Sequence, residues 1–271
     1  MKKISEIEEK IILLVATGGG TTGSGTIPYI AGLCTELPDK IVCAALMIPR
    51  ADEAIQKRLN AYNAAKEIME IEDLGATIFI NNEADPNLDK INYNFVNMMD
   101  AFFKDDSASS TSNFDDAEKI KMLSDHGAFV ISMRTSKPEA QIETQDMVDS
   151  LTAKNIFLPI NNDGIVANIG IINQRGVDID EHEIIRAVGT PENLFKGNNG
   201  TATIVCASGL GFPVEYIGGL GKKAVAEQKE RFQKKKAFLL LDDLEEIKEE
   251  KPAAVKKPRR RGISLDQLDS L

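Results

Sequence analysis

Residues 18–25, Gly-Gly-Gly-Thr-Thr-Gly-Ser-Gly, are the stretch best suited to hold an anion. They follow the apolar run Ile11–Ala16 and precede a helix-like run from Ile27 to Leu37. Strand, glycine-rich turn and helix together make a phosphate cradle. Glycines let the backbone come close to the anion and reach φ > 0, and the N–H groups of the helix start point at it. A turn that is glycine-rich for packing alone has the same composition. A second feature is Asn113-Phe114-Asp115-Asp116-Ala117-Glu118. Asp115 and Glu118 share one side of a helix's first turn, where carboxylates suit the dipole, and Asn113 reads equally as the N-cap of a purely structural helix start. Tyr93 and Asn97, four residues apart, share a helix face.

The elements that must position these groups alternate in an α/β rhythm. Ile41–Ile48 reads as a second buried strand, closed by Pro49, and Asp52–Ile71 as a helix with Ile55, Leu59, Tyr62 and Met69 on one face. Ala76–Ile80 is a third strand and Leu88–Lys104 an apolar helix. This succession predicts a parallel sheet with crossover helices. The polar stretch 105–112 reads as a loop between two lobes. Beyond it the pattern predicts helices at 115–123, 138–151 and 180–188, and strands at 128–133, 156–160, 165–172 and 201–207. From Lys222 a charged helix extends towards Glu250 and is stopped by Pro252.

Composition narrows the function classes. At 271 residues, 42% apolar and 27% charged, the chain can hold one large domain or two small ones. No apolar run approaches the roughly 20 residues of a membrane span. MKKISEIEEK has no signal-peptide pattern, and a cytoplasmic location is expected. Cys34, Cys43 and Cys206 read as buried reduced thiols, and His126 and His182 lack metal-ligand spacing. The net charge of −10 divides into −14 for residues 1–221 and +4 for residues 222–271, so the body does not suit nucleic acid. The basic cluster 256–261 and the Leu265, Leu268 and Leu271 spacing after it mark residues 256–271 as a solvated tail or as a peptide for an adaptor protein, DNA or an anionic surface.

Taken in order, these residues resemble the tubulins and the bacterial tubulin FtsZ. Gly19 to Gly25 align without a gap on the signature G-G-G-T-G-S-G, with Thr21 in place of the third glycine. Pro49, Glu53 and Lys57 match the family's Pro, Glu and Arg, the last two near the ribose; lysine keeps the charge and loses the planar fork. Asn82-Glu83-Ala84 resembles the family's Asn-Glu-Ala, where the Asn reads guanine. Tyr93 and Asn97 resemble the aromatic and amide at the head of its central helix, a ring to stack on the base and an amide for its edge. Asn113, Asp115 and Glu118 fit N-x-D-x-x-D/E, the segment that reaches the next subunit's nucleotide and polarises the attacking water. The spacing between Tyr93 and Asn113 is shorter than in FtsZ, which a plasmid- or phage-type, TubZ-like branch would tolerate, and a long helix with a basic tail resembles that branch too.

The resemblance implies a GTP site at Gly19, Gly20, Thr21, Thr22, Gly23, Glu53, Lys57, Asn82, Tyr93 and Asn97, with Mg²⁺ beside the phosphates. It implies catalytic work by Asn113, Asp115 and Glu118, and self-association into filaments. The implied fold is an α/β, truncated parallel-sheet nucleotide domain with the central helix (1–106), a second α/β lobe (113–221) and a helical or disordered tail (222–271). The family's first strands and first glycine-rich phosphate loop have no counterpart here, so the chain reads as the C-terminal part of a longer protein that binds GTP poorly alone. The alternative is a non-catalytic relative that binds filaments or an adaptor. An unrelated nucleotide enzyme is disfavoured, since no G-x-x-x-x-G-K-[ST] motif occurs.

Overall fold

Three apolar runs near the start of the chain become neighbouring parallel strands: β1 (Ile11–Thr17), β2 (Ile41–Ile48) and β3 (Ala76–Asn81). The computed structural model describes residues 4, 6–104, 114–135, 142–160 and 164–239. Between the strands run α1 (Thr21–Thr35) and α2 (Ile55–Met69), and after β3 comes α3 (Leu88–Phe103). Then follow α4 (Asp116–Ser124), β4 (Gly127–Arg134), α5 (Thr144–Thr152), β5 (Val166–Gln174), α6 (Glu181–Val188), β6 (Pro191–Gly200), β7 (Thr203–Leu210) and α7 (Val214–Phe238). The seven strands form one sheet in the order β1-β2-β3-β4-β7-β5-β6. It is mostly parallel, but β7 runs antiparallel to both β4 and β5.

β2 shows how the sheet is covered. Val42, Ala44, Leu46 and Ile48 face a core made with α1, α2 and α7, while Cys43 and Ala45 face the core that includes α3 and α4. Strands buried on both faces read as continuous apolar runs, which is why β2 and β3 were legible. Residues up to Lys229 form one compact unit, and a second begins at Glu230, within α7. The described part of that second unit is the exposed, charged end of the helix. Among the described residues no helix is long and apolar enough to cross a membrane.

Several elements differ from expectation. The face of α2 that is buried carries Arg58, Ala61, Ala64, Ala65 and Ile68, not the larger Ile55, Leu59, Tyr62 and Met69; alanines let the helix lie close on the sheet. Residues 156–160 make one isolated bridge, Ile80 with Phe157, rather than a strand, and Pro159 has no N–H to extend it. β6 was not expected: it begins at a proline and is polar, both tolerated because it is the last strand of the sheet. α7 starts eight residues before Lys222, with Gly221 against the Tyr62 ring, where an added Cβ would lie 2.5 Å from a ring carbon. The expected loop at 105–112, the start of the helix expected at 138 and all residues from 240 onward, including the basic cluster and end peptide, lie outside the described residues.

Candidate nucleotide site

The C-terminal ends of β1, β2 and β3 carry three loops side by side, the usual ligand position in a parallel sheet. The first is the glycine loop. None of its glycines has a positive φ; among the described residues that conformation belongs to Asp39, Gly127, Gly164, Gly176, Gly189 and Gly209. α1 begins inside the signature, at Thr21, so this threonine occupies a first helical position without strain. The glycines serve close approach instead. A Cβ on Gly18 would lie 3.0 Å from the Met47 carbonyl oxygen, and one on Gly23 would lie 2.9 Å from that of Thr17.

This tight start leaves α1 receptive to an anion. Its N-cap is Gly20, with no side-chain cap and no acidic residue in the first turn. Thr21 and Thr22 are exposed. Ser24 Oγ donates back to the Gly20 carbonyl at 2.5 Å and Thr26 Oγ1 to that of Thr22 at 2.7 Å, so neither hydroxyl caps the helix. First-turn N–H groups and the positive dipole end therefore face outward.

The second loop and the start of α2 lie against the first. The Lys57 stem passes beside Gly19, where an added Cβ would meet its Cβ at 3.2 Å, and Asn60 Nδ2 donates to the Gly19 carbonyl at 3.3 Å. Lys57 Nζ donates to Glu53 Oε2 at 2.9 Å, and the Arg50 N–H to Glu53 Oε1 at 3.0 Å. Burial by itself pushes the Glu53 carboxyl up; these two bonds, with the Lys57 and Arg50 charges, more than reverse that and hold it below its usual value. Glu53 is thus an anion that keeps Lys57 oriented at the loop.

The third loop is stitched to the second. The Asn82 N–H donates to the Ile48 carbonyl at 3.2 Å, and the Ala51 N–H to Glu83 Oε1 at 2.7 Å. Asn81 Oδ1 accepts from the Glu83 N–H at 3.0 Å. Asn87 then caps α3, accepting from the N–H groups of Asp89 and Lys90. Asn97 lines a cleft of about 850 Å³ with Asn81, Asn94, Met98 and Phe157, whereas Tyr93 is 68% exposed on the solvent side of α3. The described geometry therefore joins Gly19, Glu53 and Lys57 directly, links Asn82 through β2, places Asn97 in a cleft shared with Asn81 and Ala84 of the third loop, and leaves Tyr93 on the solvent side. Asn60 was not singled out beforehand and Glu83 only as part of the Asn82-Glu83-Ala84 match; the place of Asn60 one turn beyond Lys57 is the signal that could have found it.

The acidic group lies elsewhere. Asp115, not Asn113, is the N-cap of α4: its side chain accepts from the Ala117 N–H at 2.7 Å, and Glu118 Oε2 accepts from the Asp115 N–H at 2.9 Å, a capping box. Asn113 falls outside the described residues. Pairing with the Glu118 side chain and the Ala117 N–H holds the Asp115 carboxyl below its usual value. Lys119 bonds the Lys104 carbonyl, which places this group at the far end of α3 from the three loops. α3 has 16 residues and so is about 24 Å long.

Known proteins resemble this chain in sequence and fold. The chain is 30% identical to the tubulin-like protein TubZ of a Clostridium botulinum C phage over 215 residues, 78% of this chain. The tail-truncated TubZ of Clostridium botulinum phage c-st matches its fold with a TM-score of 0.72 at 25% identity, covering 84% of this chain and 75% of that one. The chain belongs to the tubulin/FtsZ superfamily. It is a TubZ-like member. A GTPγS-form protofilament of Bacillus thuringiensis serovar israelensis TubZ shares the fold, with a TM-score of 0.68, 15% identity and coverage of 88% and 69%. No family model matches the chain. The chain spans 57% of the length of the phage relative.

For a tubulin/FtsZ-type protein, the uncapped α1 start beside the Lys57 cation suits a nucleotide's phosphate. Among the described residues no three His, Cys, Asp or Glu side chains group as a metal site.

Proposed function

We propose that this chain is a GTP-binding protein that assembles head to tail into filaments and hydrolyses GTP where two subunits meet. The observation that carries the reading is the separation imposed by α3. The acids lie at one end of α3 and the loops at the other, and the helix between them is about 24 Å long, too great a span for both to serve the same nucleotide. Stacked head to tail, one subunit's α4 start meets the next subunit's glycine loop, and a heterologous contact of this kind repeats into a filament. The relationship to TubZ, one of whose members is described as a GTPγS-form protofilament, supports the same reading.

In this scheme the first-turn N–H groups of α1, from Thr21 to Gly23, bind phosphate oxygens, with Gly19 and Gly20 giving the close backbone. Lys57, oriented by Glu53, adds positive charge. Asn82 and Asn97 serve the base, with Tyr93 as the stacking ring. Asp115 and Glu118, with Asn113, orient the attacking water and accept its proton. Mg²⁺, when bound, supplies charge neutralisation at the phosphates. The protein acts in the cytoplasm, and residues 256–271 engage an adaptor, DNA or an anionic surface through charge, so that contact weakens steeply with salt.

A second reading draws support from the capping box, which occupies both carboxylates with the helix's own N–H groups: a non-catalytic relative that binds filaments. Sedimentation and phosphate release with and without GTP separate the two. GTP-dependent pelleting with turnover is expected at high GTP concentration, which offsets the weak binding anticipated for the chain alone. Pelleting that ignores the nucleotide, or occurs only with a full-length relative, and releases no phosphate would favour the second.

A further inference from the structure

Lys119 is 4% exposed, although a lysine on a short, charged helix normally points to water. Its Nζ donates to the carbonyl of Lys104, the C-cap of α3, at 3.2 Å, and stands 3.7 Å from Asp116, itself exposed. The end of α3 has a need for this group. A helix C-terminus leaves carbonyls without partners and carries negative partial charge, and α3 has no basic residue in its last turn. Lys104 itself is exposed and pairs with Asp100 at 3.0 Å, so Lys119, from a different helix, is the buried cation at this end.

On the other side of the acidic pair, Phe114 is buried, edge-on to Phe102 at 6.1 Å and stacked on Phe195 at 6.2 Å. Asp115 and Glu118 therefore lie between two anchors, an aromatic one before them and an ammonium one after them. The anchors differ in what they fix. Phe114 sets where the chain enters α4, while Lys119 ties the first turn of α4 to the end of α3, the helix that leads back to the nucleotide loops.

We infer that Lys119 is a positioning residue that holds the Asp115–Glu118 carboxylates against α3 in the orientation hydrolysis needs. The inference rests on the proposed role of those carboxylates. Lys119→Met keeps the buried stem and removes the donor, whereas Lys119→Arg keeps both charge and donor. Steady-state GTP turnover in pelleting samples, thermal unfolding and amide exchange of the α4 first turn are measured on the full chain. For K119M, kcat is expected to fall about 10- to 100-fold with KM for GTP unchanged, as a small misplacement of a catalytic group costs. K119R is expected to recover most of that loss. A folded K119M with unchanged kcat would overturn the inference, as would a loss that K119R fails to repair. If the wild-type chain releases no phosphate, the proposed function fails separately, and exchange decides: faster exchange at Ala117 and Glu118 in K119M supports the anchor, and unchanged exchange refutes it. Should K119M not fold, Lys119→Leu, which likewise has no donor, takes its place with the same expectations.

Discussion

Two glycines in the first turns of α1, two residues apart, should respond to the same substitution with opposite signs. Alanine in a helix is favoured over glycine by up to about 1 kcal/mol. At Gly25 the new Cβ would have no heavy atom within 4 Å, so Gly25→Ala should gain most of that amount. At Gly23 the Cβ would lie 2.9 Å from the Thr17 carbonyl oxygen, which is backbone of β1 and cannot turn aside. Overpacking of this kind costs about 1–3 kcal/mol, so Gly23→Ala should lose about 1 kcal/mol net. For a folded unit of this size that corresponds to roughly 2–4 °C in melting temperature, down for G23A and up for G25A. Thermal unfolding by circular dichroism in one buffer reads both. Equal rises in the two variants would refute the view that the glycine loop exists to seat α1 hard against β1. Any GTP affinity should follow the same order, weakened in G23A and kept in G25A, because only the former moves the α1 start.

Three further outcomes follow from the packing and charges. Phe114→Ala empties an aromatic site that is 3% exposed and should cost about 3–5 kcal/mol in urea unfolding; a loss under about 1 kcal/mol would mean the entry to α4 is not anchored there. Glu53 is held below its usual value of 4.5 in the folded chain, so its contribution is present above that pH and is lost as pH falls through its lowered folded value. Wild type should thus lose melting temperature faster than Glu53→Gln below pH 4.5, and parallel acid limbs would contradict the Lys57–Glu53 pairing. Burial pushes the Cys43 thiol up to about 12, and raises Cys206 and Cys34 as well. Ellman's reagent at pH 8 should find no reactive thiol in the native chain and three in denaturant; fast native reaction would place a thiol at the surface.

What could be read from sequence depended on how each residue's task is written in its own chemistry. Strands β2 and β3 were legible almost to the residue, because burial on both faces demands unbroken apolar runs; β1, at one end of the sheet, is equally apolar although only Ile12 in it is buried. β6 was not legible, since the last strand of a sheet needs apolar residues on fewer sides and PENLFKGNNG reads as a loop. The buried face of α2 was hidden by its alanines, whose small size is what lets the helix sit close. Gly218, Gly219 and Gly221 disguised the start of α7, although Gly221 is there to clear the Tyr62 ring. At the site, the three loops follow β1, β2 and β3 in the order read from sequence, but the work done by the glycines was not legible. Their expected positive φ gives way to close packing. Lys119 carried no signal at all: only the meeting of α3 and α4 buries it, and that meeting is tertiary.

The central claim is that one subunit's acidic helix start completes another subunit's GTP site. It is tested most directly by GTP turnover measured against protein concentration, with sedimentation of the same samples, for wild type and Glu118→Ala. Turnover per subunit should appear only at concentrations where protein pellets, and Glu118→Ala should pellet normally while releasing no phosphate. Turnover that is independent of concentration, or that survives unchanged in Glu118→Ala pellets, would contradict it.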